Sequence, residues 1–407
     1  MRAIRTILIL PKKRRTITVE QHIKNKKNPG ILEFHHLIFS DTFFLNNLKP
    51  LHYHNRIANF RTAFNEKKCN AFVTTFLPHV RYATGFSGSN ALTIVTSDEV
   101  FLLTDTRYEE QVKQESVAEH IIVTRENLLT TAVKKKIFSH CKNIAIDFDR
   151  FSYKAFLQLK DSLKDRRFIN VEELVEQCAA VKDEEELSSL RRAAEISDKV
   201  FTKILGIIKP GMRELEIAAE ISYWHKKFGA TGDSFDTIVA SGINSAMPHA
   251  HPTEKKINRG DFVTLDFGCV YGGYCSDTTR TIAVGKPTST MRSIYQTVLD
   301  VQQMAIDATR AGVSGKKLDA QVRQQFRKKN LEKYFAHSLG HGVGLQIHEL
   351  PKLSRKSTDT LRENNVVTIE PGLYLPGAFG VRIEDDLVVR KNGSEVITTS
   401  PKNLIIL

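Results

Sequence analysis

Hydrophobic positions between about residues 51 and 180 fall in short runs of β-forming residues. Examples are NAFVTT, ALTIVTS, VFLLTD and NIAIDF, and helical stretches near 56–68, 107–117 and 152–164 separate them. Short apolar runs are typical of strands, and their alternation with helical segments is typical of an α/β fold. The pattern therefore predicts a smaller α/β domain over residues 51–180.

The pattern changes to helical periodicity at KDEEELSSLRRAAEISDKVFTKIL. Asp183, with Glu186 three residues further on, has the spacing of a capping box, and Leu187 and Leu190 begin an apolar face. Proline cannot continue a helix, so Pro210 is expected to end it. The sequence therefore predicts a long helix that opens a second domain.

The second domain repeats one order of elements. A helix pair, at about 184–208 and 213–228, leads into strands rich in Val, Thr and Leu. A second pair, at about 289–311 and 316–329, leads into strands around VVTIE and VRIED. Two α-then-β halves of this kind predict a pseudo-duplicated α+β domain over residues 181–407.

Two aspartates fall on the predicted hairpin VTLDFGCVYGGYCSDTTRTIAV. The dipeptide Gly272-Gly273 suits a two-residue turn between its strands. With that turn, Asp266 faces position 279, and Asp277 lies two residues away on the same face. The α-carbons of the two aspartates are then expected about 7–8 Å apart. A mid-strand aspartate is costly when it is buried without a partner, so we expect a cation between the two carboxylates.

The stretch HSLGHGVGLQIHE, residues 337–349, holds three histidines and three glycines. His337 and His341 have the i, i+4 spacing of a helical zinc pair, but the three closely spaced glycines disfavour a helix. Glycine also lets the backbone approach another group closely. We therefore predict a loop that brings imidazole nitrogens close to another part of the site.

Two glutamates occupy apolar, β-rich runs in which an acid is out of pattern. Taken singly, Glu370 in VVTIEPG can be a strand-end acid facing solvent, and Glu384 in VRIEDD can be a surface partner of Arg382. Taken together with the hairpin and the glycine-rich stretch, they complete a ligand set for two divalent metal ions. The members of this set are Asp266, Asp277, His341, Glu370 and Glu384. Such oxygen-rich ligation favours Mn²⁺, Co²⁺ or Zn²⁺ over Cu⁺ or an iron–sulfur cluster.

Over about residues 52–407 the sequence resembles the pita-bread metallopeptidases of the aminopeptidase P and prolidase type. The stretches ASGINSAMPHAHPT, HSLGHGVGLQIHE and TIEPGLY are similar to that family's, and LPHVRYATGFSGSNA is similar to its creatinase-type N-terminal domain. The resemblance implies a pita-bread catalytic domain over 181–407, preceded by a creatinase-like α/β domain over 51–180.

The resemblance also implies a role for each candidate residue. It implies that the five ligands bind two divalent ions, with Mn²⁺ as the first expectation and Co²⁺ or Zn²⁺ as alternatives. Glu370 is implied to act as the general base as well. His249 and His348 are implied to hydrogen-bond substrate carbonyl oxygens. The implied catalytic residues are His249, His337, His348, Glu370 and Arg382.

The implied activity is that of an Xaa-Pro aminopeptidase, in which a hydroxide bridging two metal ions cleaves the bond between an N-terminal residue and proline. The alternative is an Xaa-Pro dipeptidase, or prolidase, acting on dipeptides. Two further alternatives are a creatinase-like hydrolase that works without metal and a non-catalytic pita-bread module that binds peptide, histone or RNA. The complete ligand set disfavours both. We expect peptides with proline in the second position as substrates and a homodimer as the assembly.

Charge and cysteine content bear on partners and location. The chain of 407 residues has a net charge of +13, and residues 1–60 carry eleven Lys or Arg against three acids, which places +8 there. We therefore predict a basic, flexible extension over residues 1–50, with organelle targeting as an alternative, and no nucleic-acid partner. Five scattered cysteines without a CxxC pair, and the lack of an apolar run of about 18 residues, predict a soluble cytoplasmic protein with no membrane partner.

Overall fold

The computed structural model describes residues 41–407. Residues 1–40, most of the predicted basic extension, lie outside the described residues. Residues 41–50 already belong to a helix, Asp41–Glu66, which the sequence pattern places only near 56–68. The weak apolar periodicity before residue 50 hides this early start. The boundary predicted at residue 50 therefore falls inside a helix.

The N-terminal domain alternates helices and strands, as the α/β prediction requires. Its helices are α1 (Asp41–Glu66), α2 (Leu77–Thr84), α3 (Glu109–Glu115), α4 (Leu128–Lys134), α5 (Tyr153–Ser162) and α6 (Leu174–Ala179). Its strands are β1 (Ala71–Thr74), β2 (Ala91–Thr96), β3 (Val100–Asp105), β4 (His120–Thr124), β5 (Asn143–Ile146) and β6 (Arg167–Asn170). They form one sheet in the order β4-β3-β2-β1-β5-β6. The pairs β1–β2 and β2–β3 are antiparallel, and the other pairs are parallel.

The four strands predicted from the sequence and the two that were missed occupy different positions in this sheet. Central strand β1 is buried on both faces, because Phe72 packs into one apolar core and Val73 into another. Such a strand has a continuous apolar run, and β1, β2, β3 and β5 are the four predicted β-rich runs. The two unpredicted strands, β4 and β6, lie at the sheet edges and are partly exposed. Strand β4 nevertheless contains the apolar run IIV, which offered a signal, whereas β6 has only Phe and Ile between polar residues.

The C-terminal domain contains both predicted helix pairs. Its helices are α7 (Glu184–Leu205), α8 (Glu214–Lys227), α9 (Ser289–Ala308) and α10 (Gly315–Lys328). Its strands are β7 (Gly232–Asp233), β8 (Ile238–Ser241), β9 (Phe262–Phe267), β10 (Cys269–Tyr271), β11 (Tyr274–Cys275), β12 (Thr278–Ala283), β13 (Gly340–Gly342), β14 (Glu349–Leu353), β15 (Val366–Ile369), β16 (Gly372–Leu375), β17 (Phe379–Arg382), β18 (Asp385–Arg390) and β19 (Gly393–Val396). Asp183 and Glu186 form the predicted capping box of α7, although this helix ends at Leu205, before Pro210.

Each helix pair packs on strands of its own half. Helices α7 and α8 share an apolar core with β8, β9 and β12, which form a sheet in the order β12-β9-β8. Helices α9 and α10 share a second core with strands of the sheet β14-β13-β15-β18-β19. The pseudo-duplicated α+β fold is thereby confirmed. Both domains belong to one compact unit, residues 46–407. Within the described part of the chain, no helix has the length and apolar composition needed to span a bilayer.

The predicted hairpin has the predicted register. Thr279 in β12 lies opposite Asp266 in β9. Gly272 and Gly273 join β10 to β11 with φ angles of 57° and 88°. Two consecutive positive φ angles characterise the two-residue hairpin turn that matches the strand twist, and glycine adopts them without strain. This turn fixes Asp266 and Asp277 on the same side of the sheet.

The stretch at 337–349 is not a loop throughout. Gly340–Gly342 form strand β13, paired with β14 and β15. A side chain at Gly340 would place its Cβ 2.0 Å from the Thr368 carbonyl oxygen, and one at Gly342 would place it 2.1 Å from the Leu350 carbonyl oxygen. The two glycines thus permit close backbone packing in a sheet. A pattern rich in glycine conceals such a strand, because glycine has low intrinsic strand preference.

Candidate metal centre and active site

A cavity of about 470 Å³ lies between the two halves of the C-terminal domain and one wall of the N-terminal domain. It is within the size range of small-ligand sites, about 300–1,000 Å³. All nine candidate residues from the sequence line it. They are His249, Asp266, Asp277, His337, His341, His348, Glu370, Arg382 and Glu384. Residues from distant parts of the chain therefore meet in one site.

The strands position the carboxylates by their alternating faces. In β9, Leu265 and Phe267 pack into the apolar core, which leaves Asp266 on the opposite face, toward the cavity. Asp277 immediately precedes β12, and Glu370 immediately follows β15. Asp266 and Asp277 are buried, as is Glu384 between β17 and β18. Four carboxylates are thus held at the cavity wall by rigid sheet elements.

His341 presents one ring nitrogen to these carboxylates. Its Nδ1 lies 3.1 Å from the Gly342 carbonyl oxygen and can donate a hydrogen bond to it. The Nε2 atom then carries the lone pair, and it lies 3.7 Å from Asp277 Oδ2 and 3.6 Å from Glu370 Oε1. Ligand atoms of His341, Asp277 and Glu384 all lie within 4.8 Å of one another. This spacing and this tautomer suit a bound cation.

The carboxylates lack enough positive charge among the protein groups around them. Burial, and then the nearby charge of Glu384, raises the pKa values of Asp277 and Glu370 well above their usual range. Burial, and then Asp266, raises the pKa of Glu384 to about 8. Among the described residues, Asp266 Oδ1 and Asp277 Oδ1 are buried without a hydrogen-bond partner. A divalent cation would satisfy both atoms and relieve the repulsion, so this donor set fits a metal centre.

Arg382 is the buried cation that the site already has. It forms an ion pair with Asp266 and donates hydrogen bonds to the Tyr374 hydroxyl at 2.6 Å and to Thr279 Oγ1 at 3.0 Å. Glu384 instead accepts a hydrogen bond from Thr279 Oγ1 at 2.6 Å. The single-residue interpretation of Glu384 as a surface partner of Arg382 is therefore wrong, because both side chains are buried and Arg382 pairs elsewhere.

Glu370 is not a solvent-facing acid at a strand end. Its side chain retains only 16% exposure and lies in the cavity beside His341 and His337. The single-residue interpretation of Glu370 as a strand-end acid facing solvent is therefore wrong, because its side chain points into the cavity. Cys269 and Cys275, on the hairpin that carries Asp266 and Asp277, are buried in apolar cores, as expected of small packing residues.

The other three histidines of the cavity, His249, His337 and His348, differ in whether their ring nitrogens already contact protein atoms. Both ring nitrogens of His337 lie within hydrogen-bond distance of protein atoms, Nδ1 at 2.7 Å from the Ser338 carbonyl oxygen and Nε2 at 2.8 Å from the Tyr374 hydroxyl. Burial lowers the pKa of His337 to about 3, so the ring is neutral. His249 and His348 are exposed to the cavity. They are thus the two more exposed of the four histidines that line the cavity.

Sequence reasoning missed two groups of site residues. Tyr374 joins Arg382 to His337 through its hydroxyl, and it lies in the stretch TIEPGLY, which offered a signal. Arg150, Glu173 and Glu176 of the N-terminal domain also line the cavity. No local pattern marks these three, because they reach the site only through the packing of the two domains.

Two family descriptions match the chain. Residues 188–391 match "Metallopeptidase family M24", and residues 56–181 match "Creatinase/Prolidase N-terminal domain". The two matches cover the regions that form the C-terminal and N-terminal domains of the structure.

Similar proteins include two that are named as dipeptidases. An "Xaa-Pro dipeptidase" of Pyrococcus horikoshii is 36% identical over 334 residues, which cover 81% of this chain and 92% of that protein. The structure of an Xaa-Pro dipeptidase from Bacillus anthracis is 40% identical with a TM-score of 0.84, over 87% of this chain and 100% of that one. The structure of an X-Pro aminopeptidase from Thermotoga maritima is 37% identical with a TM-score of 0.80, over 84% and 98%.

Proposed function

Because the chain belongs to metallopeptidase family M24, we propose that it is a metal-dependent Xaa-Pro dipeptidase. From the sequence alone, an Xaa-Pro aminopeptidase was the first expectation and an Xaa-Pro dipeptidase was the alternative. The names of the relatives in Bacillus anthracis and Pyrococcus horikoshii favour the second. The aminopeptidase remains the second candidate, because the similar Thermotoga maritima protein bears that name. Both activities hydrolyse the bond that precedes proline.

The observation that supports this proposal best is the buried cluster of carboxylates around one imidazole. Its geometry leaves carboxylate oxygens without partners and directs His341 Nε2 toward them. The residues proposed to hold two divalent ions are Asp266, Asp277, His341, Glu370 and Glu384. Mn²⁺ is the first proposal for their identity, with Co²⁺ and Zn²⁺ as alternatives, since oxygen-rich sites suit these ions.

When bound, such ions would polarise the scissile carbonyl and acidify a water molecule. The protein groups would supply the other steps. Glu370, 3.6 Å from His341 and 3.9 Å from His337, can take up a proton and deliver it to the leaving proline nitrogen. His249 and His348 would donate hydrogen bonds to carbonyl oxygens as negative charge develops. His337, bonded on both sides, would orient the Tyr374–Arg382 pair instead of contacting the substrate.

Proline substrates suit the cavity chemistry. An Xaa-Pro bond is a tertiary amide without an N–H, so recognition cannot depend on that hydrogen bond. The cavity instead offers apolar surface that could pack against a pyrrolidine ring. The apolar residues of its lining include Phe235, Ile238, Ile347 and Leu350. A short substrate with one apolar ring therefore matches both the polar and the apolar parts of the wall.

A substrate panel tests the proposal. Chelated protein is reloaded with Mn²⁺, Co²⁺ or Zn²⁺ and assayed on Xaa-Pro dipeptides, Xaa-Pro-Yaa peptides and Met-Ala-Yaa peptides. A dipeptidase cleaves the dipeptides best and leaves Met-Ala-Yaa intact. Faster cleavage of Xaa-Pro-Yaa would favour the aminopeptidase. Cleavage of Met-Ala-Yaa alone would contradict both candidates.

Assembly and location stay predictions from the sequence. We propose a homodimer, which sedimentation of the purified full-length chain tests. We also propose a cytoplasmic location. The five cysteines are all unpaired in the structure, in agreement with a reducing compartment. Fusion of residues 1–50 to a fluorescent reporter tests the alternative of organelle targeting.

A further inference from the structure

Three ionisable side chains of the N-terminal domain converge outside the proposed catalytic ligand set. They are His79 in α2, Asp147 directly after β5 and Glu176 in α6, and one ligand atom of each lies within 4.8 Å of the others. All three side chains are buried, with 3%, 4% and 9% exposure. Within the described part of the chain, one other group of His, Asp and Glu side chains converges as closely, and it contains the proposed metal ligand His341. The N-terminal cluster therefore has the same kind of donor set as the proposed catalytic centre.

Hydrogen bonds within the protein leave part of this cluster unsatisfied. His79 Nε2 lies 3.0 Å from Glu176 Oε1, but Glu176 Oε2 is buried without a hydrogen-bond partner. Asp147 Oδ1 accepts one backbone N–H, from Asp149 at 3.0 Å. A simple His–Glu pair does not require a second buried carboxylate beside it, and a buried oxygen without a partner is costly. The cluster thus has acceptor atoms that the surrounding protein donors do not fill.

The charges of the cluster are also not balanced. Burial opposes ionisation of Glu176, but the hydrogen bond and the charge of His79 outweigh it and lower the pKa of Glu176. Burial, with a smaller contribution from the charge of Glu176, raises the pKa of Asp147. The nearby cations, His79 and the half-exposed Arg150, both lie beside Glu176, and among the described side chains no cation lies within 4 Å of Asp147. A further positive charge would therefore stabilise both carboxylates.

We propose that His79, Asp147 and Glu176 bind one Zn²⁺ ion, separate from the proposed catalytic pair. One imidazole and two carboxylates, with a further position for water, form a common zinc coordination set. Neighbouring ligand atoms of a tetrahedral zinc ion lie about 3.4 Å apart. The 3.0 Å between His79 and Glu176 and the 4.8 Å limit for the whole set bracket that value.

The surroundings of the cluster suit a bound ion in two respects. The second ring nitrogen of His79, Nδ1, lies 3.5 Å from Thr74 Oγ1, and metal-binding histidines usually have such a partner on their other nitrogen. Glu176 lines the catalytic cavity, so an ion can enter from there. Once bound, the ion would tie α2 and α6 to the end of β5. It would thereby fix the part of the cavity wall that the N-terminal domain supplies.

The choice of Zn²⁺ separates this site from the catalytic pair. The same ligands bind Mn²⁺ less tightly than Zn²⁺, because Mn²⁺ stands lowest in the affinity order of the divalent first-row metals. A titration with Mn²⁺ is therefore expected to fill the catalytic pair before this site. This inference does not depend on the proposed function, because the ligands belong to a different domain.

A metal count tests the proposal. Full-length wild type, His79→Ala and Asp147→Asn are chelated, dialysed against Zn²⁺, freed of unbound metal by gel filtration and measured by elemental analysis. Wild type should retain one more Zn²⁺ ion per chain than either variant, three against two when the catalytic pair is also filled. Asp147→Asn keeps the side-chain volume, so its loss of one ion would not reflect a packing defect. Equal counts in wild type and both variants would overturn the proposal and leave a hydrogen-bonded cluster only.

A matched control is His120→Ala, in another His–Glu pair of the same domain. His120 Nε2 lies 2.8 Å from Glu99 Oε1, and both side chains are about half exposed. This pair has no third ligand group within the described residues, so the variant should retain the wild-type number of ions. Loss of one ion in His120→Ala as well as in His79→Ala would show a general effect of removing histidine and overturn the proposal.

Two further measurements separate this site from the catalytic centre. Asp266→Ala, which lacks a proposed catalytic ligand, should still bind one Zn²⁺ ion that is lost when His79→Ala is added. Crystals of the Zn²⁺-loaded wild type, measured at the zinc absorption edge, should show an anomalous peak within about 2.5 Å of His79 Nε2. Absence of that peak would overturn the proposal, whatever substrate the enzyme cleaves. Its presence in a protein without Xaa-Pro hydrolysis would overturn the proposed function alone.

Discussion

His341 shows how one hydrogen bond assigns a role to a side chain. Because Nδ1 can donate to the Gly342 carbonyl, Nε2 is left to face Asp277 and Glu370. Its neighbour His348, whose ring lies edge-to-face at 4.4 Å, has no comparable position among the carboxylates. We therefore expect His341 to bind metal and the adjacent His348 to stabilise negative charge on the substrate.

The histidine roles can be separated by substitution. His348→Ala or His249→Ala should keep the bound metal near the wild-type level while kcat falls by about 10²–10³, because one donor to the developing charge is lost. His341→Ala should lose metal affinity and rate together. Elemental analysis beside steady-state kinetics on the purified variants measures both properties. The assignment fails if His348→Ala empties the site while His341→Ala keeps its metal.

Single residues also mark the limit of prediction from sequence. Asp266, Glu370 and Glu384 could be selected because each interrupts an apolar β-rich run. Tyr374 and Arg150 could not be selected in this way. Neither residue interrupts the hydrophobic pattern of its own segment. Their positions in the site follow only from contacts between distant parts of the chain.

At the scale of elements, a hairpin and a glycine-rich strand carry the site. The hairpin register follows from period-two alternation and one Gly-Gly turn, and both are local, so the sequence predicts it correctly. Strand β13 is defined by contacts with β14 and β15, which lie far along the chain or beyond a turn. Its glycines are needed because carbonyl oxygens of the neighbouring chain segments lie close to their α-carbons. Those neighbours lie outside the segment itself, so the local sequence does not indicate a strand.

Close packing around β13 predicts a strong effect of a single methyl group. Gly340→Ala would bring Cβ to 2.0 Å from the Thr368 carbonyl oxygen, so backbone must move beside His341. We expect a loss of about 1–3 kcal/mol in the free energy of unfolding, together with weaker metal binding. Thermal unfolding and metal titration measure the two effects.

The control for this substitution is another strand glycine. Gly393 begins β19, and a Cβ there would meet no atom within 4 Å. Gly393→Ala should keep stability and metal binding close to wild type. An equally small effect of Gly340→Ala would contradict the argument that β13 needs glycine for close approach.

At the scale of the whole molecule, the N-terminal domain completes the cavity and α1 completes that domain. Phe60 and Phe64 of α1 are fully buried in the N-terminal core, where they contact the sheet. The domain order and the two-half architecture were predictable, because they appear as long-range changes in periodicity. The shared cavity wall was not, because it depends on how two separately patterned domains pack.

Truncation tests the boundary of the folded protein. Removing residues 1–40 should leave activity and melting temperature nearly unchanged, because the basic, weakly periodic sequence offers little apolar surface for a core. Removing residues 1–66 should prevent stable folding, because it also deletes the buried side chains of α1. Thermal unfolding and Xaa-Pro hydrolysis by both truncated chains measure the difference. A large loss in the shorter truncation would place part of residues 1–40 in the folded core.

The most direct test of the central claim is metal titration of the full-length chain with Ala-Pro hydrolysis as the readout. We predict no turnover after chelation, recovery on addition of Mn²⁺, and saturation at two ions per chain. Glu370→Ala and Asp266→Ala should stay inactive at any Mn²⁺ concentration, because each removes an oxygen proposed to ligate the ions. Full turnover by the metal-free protein, or wild-type activity in either variant, would contradict the assignment of this cluster as a catalytic metal centre.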